Sequence, residues 1–219
     1  MVELAQPVSR RALVRAATVA IAGSMGTLAR TQVTTLRETA DLITGPFYPL
    51  DKPLECDADL TRIKGHRSSA IGQVVQITGR VLNLRGEPVR RATIDVWQAN
   101  AAGRYSHPSD PNVRLSLDPD FQGYARFRAD NEGRYRLTTI KPGPYPTARG
   151  DMRAPHVHFL IDGRTDRKVT QLFFPGEELN KLDRHLNSVR RPDSLIARME
   201  PLSGLAVLQA RWDIILTTG

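Results

Sequence analysis

The sequence predicts an all-β chain, an antiparallel β-sandwich with long loops and one short helical or loop-like segment near the C-terminus. Three observations predict it. From about residue 73 onward, apolar residues recur at alternate positions in short runs, the period of a strand with one buried face. The runs are separated at short intervals by turns rich in Gly, Pro, Asn and Asp, as sandwich strands are. No internal repeat or low-complexity tract breaks the pattern.

The first run sets Val75, Ile77, Gly79 and Val81 against Gln76, Thr78 and Arg80, and Asn83-Leu84-Arg85-Gly86-Glu87-Pro88 supplies the turn after it. Residues 93–98 form the next strand and stop at Asn100-Ala101-Ala102-Gly103. Residues 123–128 and 133–140 flank Ala129-Asp130-Asn131-Glu132 and read as a hairpin. Residues 156–162 and 168–174, joined by Gly163-Arg164-Thr165-Asp166, read as a second pair, and residues 210–217 as a closing strand. Residues 177–199, interrupted by Pro192, carry the helical or loop-like character.

A chain of 219 residues with 40% hydrophobic and 25% charged residues suits one domain with or without a short appendage. Its core is large enough to stand without a disulfide framework. Cys56 is the only cysteine, which excludes intrachain disulfides, all-cysteine zinc sites and iron–sulfur clusters held by one chain. No apolar run reaches the roughly 18 residues of a membrane span. The formal charge is +8, but the basic pairs Arg10-Arg11, Arg90-Arg91 and Arg190-Arg191 are scattered and lack interleaved aromatics. That distribution predicts a solvated cationic surface and no nucleic-acid partner; the alternative reading is attraction of small anionic substrates toward a cleft.

Ser9-Arg10-Arg11 precedes an uncharged, mildly apolar stretch over residues 16–29, with small residues around Thr27-Leu28-Ala29. Residues 1–30 therefore read as a twin-arginine-type signal for export to the periplasm or beyond. The alternative is an amphipathic helix on a cytoplasmic protein. Residues 31–72 form a lead segment expected to pack near the active site, and residues 73–219 the β-sandwich domain.

The sharpest chemical feature is His156-Val157-His158. On a strand, residues i and i+2 share a face, so both imidazoles reach one point, and a neutral pair suits zinc, copper, iron or nickel. A bare His-x-His is also common by chance on exposed strands. Tyr145 follows Lys141-Pro142-Gly143-Pro144, whose prolines stiffen the backbone, and Tyr105 follows a strand end at Gly103-Arg104. Phenolate oxygens favour Fe(III), although either tyrosine also suits a pocket rim with its hydroxyl in water. A zinc hydrolase built on the histidine pair and a non-catalytic extracellular β-sandwich binding module are the competing readings. Tyrosine fits ordinary zinc sites poorly. His66 and His185 fall in polar segments and read as surface residues, His107 as surface or structural, and Cys56 as a small free thiol.

Five motifs together resemble the intradiol ring-cleavage dioxygenases: Gly45-Pro46-Phe47-Tyr48-Pro49; the stretch from Thr78 through Trp97-Gln98-Ala99-Asn100 to Tyr105; Thr139-Ile140-Lys141-Pro142-Gly143-Pro144-Tyr145-Pro146; Arg153-Ala154-Pro155-His156-Val157-His158-Phe159; and Thr170-Gln171-Leu172-Phe173-Phe174. The likeness covers about residues 44–217 and is strongest to the protocatechuate 3,4-dioxygenase branch.

The resemblance implies a non-haem Fe(III) held by Tyr105, Tyr145, His156 and His158, with Tyr145 and His158 axial and Tyr105 and His156 equatorial. It implies that Tyr145 also acts as a base, and that Arg153 and Gln171 lie beside a catechol-type substrate such as protocatechuate. The implied reaction inserts O2 between the two hydroxyl-bearing carbons and yields a cis,cis-muconate-type diacid. The family's protocatechuate enzymes pair two related subunits, whereas a single chain with all four ligands implies a homo-oligomer. Thr147 stands where that branch typically carries a Trp lining the substrate pocket, which puts the ring preference in question.

Overall fold

The computed structural model describes residues 35–53, 56–201 and 207–219; the expected signal over residues 1–30 lies outside them. The described residues belong to one compact unit. β1 (Val74–Asn83) runs through a five-stranded sheet with β4 (Arg134–Ile140), β9 (Arg198–Pro201), β10 (Leu208–Arg211) and β11 (Ile214–Leu216). β2 (Thr93–Trp97), β3 (Tyr124–Arg128), β7 (His156–Asp162) and β8 (Arg167–Phe173) form a four-stranded sheet in the order β3-β2-β7-β8. β5 (Tyr145–Pro146) and β6 (Met152–Arg153) make a two-stranded ribbon.

The two large sheets bury their alternate apolar residues against each other, as the period-2 pattern requires. Val75, Ile77, Leu137 and Ala210 from one meet Ile94, Val96, Val157, Phe159 and Leu172 from the other in one core. Phe159 packs its ring against Tyr135 at 6.1 Å and Trp212 at 5.3 Å, tying the sheets together. The all-β sandwich expectation holds. Within it β1 runs parallel to both β10 and β11, a pairing that local patterning does not reveal.

Two local expectations are corrected. Residues 123–128 and 133–140 do not pair as a hairpin: β3 pairs with β2 over Thr93↔Arg128 to Trp97↔Tyr124, and β4 with β1. The turn is real, with the Asp130 carboxylate accepting the Glu132 and Arg134 N–H groups at 2.9 and 2.7 Å. It reverses the chain while passing it from one sheet to the other. Residues 210–217 are not one strand either. At Trp212-Asp213 the ladder breaks, the Trp212 N–H donating to the Thr78 carbonyl at 2.9 Å while the Asp213 carboxylate takes the Arg80 N–H at 2.9 Å.

Residues 177–199 hold three short 3-10 turns, Glu178–Lys181, Leu186–Ser188 and Pro192–Leu195, before β9. No helix among the described residues is long and apolar enough to cross a membrane. The lead segment crosses from one sheet to the other. Thr39 and Ile215 exchange hydrogen bonds of 3.0 and 2.8 Å, and the Leu42 N–H donates to the Val169 carbonyl at 2.8 Å. Lys168, only 1% exposed, pairs with Glu38 at 2.7 Å and Asp41 at 3.1 Å. Farther along, the buried Asp95 carboxylate accepts Tyr48 Oη at 2.6 Å and pairs with Lys52 and Arg126 at 3.2 Å each. These anchors hold Gly45-Pro46-Phe47 over the outer face of the four-stranded sheet.

Candidate metal centre

Strand alternation decides the first half of the site. β7 sends Val157 and Phe159 into the core, so His156 and His158 face outward, where the lead segment and loops bury both. His158 lies opposite Trp97 of β2 and Gln171 of β8. The indole stacks on its ring at 4.7 Å and 12°. His156 Nδ1 lies 2.6 Å from the Ala154 carbonyl oxygen, an acceptor only, so Nδ1 carries the proton and Nε2 presents a lone pair. His158 Nδ1 has no hydrogen-bond partner among the described residues, and the Trp97 stack orients that ring instead.

Two loops supply the other half. Asn100 folds both: its side-chain oxygen accepts the Ala102 and Arg104 N–H groups at 2.9 and 3.0 Å. Its carbonyl accepts those of Gly103 and Gly143 at 3.0 and 2.9 Å. Gly103 has φ +83°, and a Cβ there would overlap the Pro144 carbonyl oxygen, so glycine lets the loops close on each other. Gln98 ties β2 to the end of β4, donating to the Ile140 carbonyl at 2.9 Å and accepting the Thr139 hydroxyl at 2.8 Å. Asp110 accepts the Tyr105 N–H at 2.8 Å and pairs with Arg104 at 3.2 Å. The Tyr105 and Tyr145 rings meet edge-on at 5.4 Å.

The four sequence-predicted side chains therefore converge. His156 Nε2 lies 3.2 Å from His158 Nε2 and 3.4 Å from Tyr145 Oη, and Tyr105 Oη is buried with no hydrogen-bond partner among the described residues. Two atoms each about 2.1 Å from one ion and near a right angle apart are separated by about 3 Å, so the spacing fits a shared cation. Burial holds both imidazoles well below their usual pKa, with Arg153 adding to the effect on His156 and His156 itself on His158. They are neutral and ready to ligate. Burial first, then Tyr145, pushes the Tyr105 phenol up, and burial also raises Tyr145 against the lowering influence of Arg153. Two phenolates here need a strong positive charge between them, and a hard trivalent cation suits that donor set.

Arg153 is the ladder partner of Tyr145. Its Nε pairs with Asp183 at 2.9 Å and its terminal nitrogen donates to Gln171 Oε1 at 2.7 Å. Gln171 in turn donates to the Ile43 carbonyl at 3.0 Å, joining Arg153 to the lead segment. A cavity of about 810 Å³ opens on this constellation. Tyr145, Arg153 and His158 line it, with Gly45, Phe47 and His185, whereas Tyr105, His156 and Gln171 are buried outside its lining. The backbone of Gly45, at φ +74°, passes close enough that a Cβ would stand 3.3 Å from His158 Cε1.

His185 is corrected from a surface residue to a cavity wall: the Asp183 carboxylate holds its N–H at 3.0 Å and so fixes the turn that presents it. Asp183 went unmarked in the sequence, since nothing local distinguishes it from other loop carboxylates and its partner lies 30 residues away. His107 is buried, accepts the Ser109 N–H at 3.1 Å and packs 5.8 Å from Phe47, a structural histidine. His66 pairs with Asp120 at 2.8 Å on the exposed side, and Cys56 is a half-buried free thiol.

The family model described as Dioxygenase matches residues 43–218. The chain belongs to the intradiol ring-cleavage dioxygenase family. It is 43% identical over 142 residues to the protocatechuate 3,4-dioxygenase beta chain of Burkholderia cepacia, covering 63% of this chain and 60% of that one. It is 32% identical over 187 residues to the hydroxyquinol 1,2-dioxygenase of Rhodococcus opacus, covering 79% of this chain and 58% of that one. This intradiol dioxygenase chain thus spans about three fifths of the length of those curated relatives. The 3-chlorocatechol 1,2-dioxygenase structure from Rhodococcus opacus 1CP shares the fold, with a TM-score of 0.65 at 23% identity over 83% of this chain and 73% of that one.

Proposed function

We propose that the chain is a non-haem Fe(III) enzyme that cleaves a catechol-type aromatic between its two hydroxyl-bearing carbons. The reaction consumes one O2 and forms a cis,cis-muconate-type diacid. Tyr105, Tyr145, His156 and His158 would hold the metal, and their convergence is the observation that carries this reading. A ferric ion in that donor set supplies Lewis-acid activation of a bound catechol toward O2.

The protein's own groups do the rest. Tyr145 lines the cavity, so its phenolate oxygen is the base within reach of a catechol hydroxyl proton. Arg153 lines the same wall and is always cationic, so its guanidinium opposes negative charge on the ring. Asp183 and Gln171 lock that guanidinium in one orientation. The Ala154 carbonyl keeps His156 in the ligating tautomer. Phe47, with its ring centroid 4.6 Å from that of Tyr105, and Trp97, stacked on His158, set apolar rings against the proposed ligands.

A zinc hydrolase would use a third His, Cys, Asp or Glu, and no group of three such side chains converges among the described residues. The decisive experiment is metal analysis with a visible spectrum, followed by oxygen uptake with catechol and product analysis. Stoichiometric iron, a red-brown phenolate-to-Fe(III) charge-transfer band and a muconate-type diacid support the reading. A colourless protein carrying zinc, or an extradiol product, overturns it. Homo-oligomeric assembly and twin-arginine export belong to the same proposal, tested by sizing the purified protein and by fractionating cells that produce the full chain.

A further inference from the structure

The charges lining the cavity pair off and leave one over. Arg153 is neutralised by the buried Asp183 carboxylate. Arg184 pairs with Asp151 at 3.0 Å, bridging the ribbon to the turn that carries His185. Arg149 also lines the cavity, and it has no carboxylate partner among the described residues.

Its position is built by the fold. Tyr145↔Arg153 and Pro146↔Met152 pair in the stem of the ribbon. The Thr147 N–H donates to the Asp151 carbonyl at 2.8 Å and the Gly150 N–H to the Thr147 carbonyl at 2.9 Å, closing the tip. The Arg149 N–H is itself held by the Thr147 hydroxyl at 3.3 Å. Tyr145 and Arg153 therefore pair in the stem of the same short ribbon whose tip carries Arg149, exposed and without a carboxylate partner among the described residues. Arg149 is four residues from each of them, so at most roughly 13 Å of extended chain separates its Cα from theirs.

Pro46, Phe47, Pro146, Ala148 and Met152 give the cavity an apolar wall, beside the polar Ser109, Thr147 and Ser188. The 810 Å³ volume lies toward the top of the roughly 300–1,000 Å³ range of pockets that enclose drug-sized ligands, far beyond what a single ring fills. We propose that the substrate is a catechol bearing a side arm that ends in a carboxylate, with the arm along the apolar wall and the carboxylate on Arg149. A guanidinium binds a carboxylate through two parallel hydrogen bonds. This inference rests on the ring-cleavage reading above.

The test uses the iron-loaded full chain and oxygen uptake with catechol, 3,4-dihydroxycinnamate and the methyl ester of that cinnamate. The free acid should exceed its ester at least tenfold in kcat/KM, and the ratio should shrink as salt is raised. Arg149→Gln should bring the ratio close to one, Arg149→Lys should keep part of it, and Arg149→Glu should invert it. Equal kcat/KM for acid and ester, or a ratio that Arg149→Gln leaves unchanged, overturns the carboxylate arm while uptake with catechol leaves ring cleavage standing. No uptake with any of the three compounds overturns ring cleavage and this inference with it.

Discussion

Asp183 reaches Arg153 inside the protein, Oδ2 to Nε at 2.9 Å, and the same oxygen accepts the Ala154 N–H at 2.9 Å, two residues before His156. Its other oxygen accepts the His185 and Leu186 N–H groups at 3.0 Å each. One carboxylate thus joins the guanidinium, the turn entering the strand that carries His156 and His158, and the far wall of the cavity. A buried charge of this kind is sustained only by good geometry and complete hydrogen bonding, and Asp183 has both.

Arg153→Ala is expected to keep the iron and lose most turnover, by a factor on the order of 10²–10³, the usual effect of deleting one preorganised charge-stabilising group. Metal content and kcat measured on the same preparation check it, and unchanged turnover refutes the role. Arg153→Lys should fall between, since an ammonium cannot hold Asp183 and Gln171 in the same fork geometry.

Asp183→Asn leaves Arg153 buried without its countercharge, so unfolding free energy should drop by about 3–5 kcal/mol, read by urea denaturation. In the fraction that folds, kcat should fall more than KM rises, because the guanidinium is misdirected and the cavity remains.

Removing a donor tests the metal centre directly. His156→Ala and His158→Ala should each lose most of the iron. Tyr105→Phe and Tyr145→Phe should weaken and shift the visible charge-transfer band, each deleting one phenolate. A band identical to the parent protein's in both tyrosine variants would exclude those residues as ligands.

Gly45→Ala forces a Cβ to φ +74° and 3.3 Å from His158 Cε1. It should cost about 1 kcal/mol or more in stability and disturb the visible spectrum. Gly176→Ala is the control: its φ is +77° with nothing within 4 Å, so it should show the backbone penalty with an unaltered spectrum.

The Glu38 carboxyl is held below its ordinary value near 4.5, first by its hydrogen bond to Lys168. A carboxyl whose folded-state pKa is depressed contributes stability above the unfolded value and loses it as pH falls through the folded one. The clamp on the lead segment should therefore weaken in acid below about pH 4.5, and Glu38→Gln should flatten that part of the stability–pH curve. Denaturant titrations between pH 6 and pH 3 compare the two proteins, and parallel curves would remove the clamp from the account.

Much of the fold and site was legible because the signals are local. Alternation at Val75, Ile77 and Val81 marks a strand wherever its partner lies, and the same alternation puts His156 and His158 on one face. The resemblance that points to Tyr105, Tyr145, Arg153 and Gln171 rests on short motifs that survive without any knowledge of pairing. The turn at Asp130 was legible too, although its consequence was not, since a turn reverses a chain without saying which sheet receives the next strand.

The amino-acid sequence by itself determined the strand-forming runs, the faces of those strands and the residue types of the candidate centre. Only the tertiary structure decided that β3 and β4 part company, that β1 takes two parallel neighbours, that His185 lines a cavity and that Asp183 neutralises Arg153. Those outcomes depend on which distant surfaces bury the most apolar area and satisfy the most buried polar groups together, a property of the whole packed chain that no short window contains.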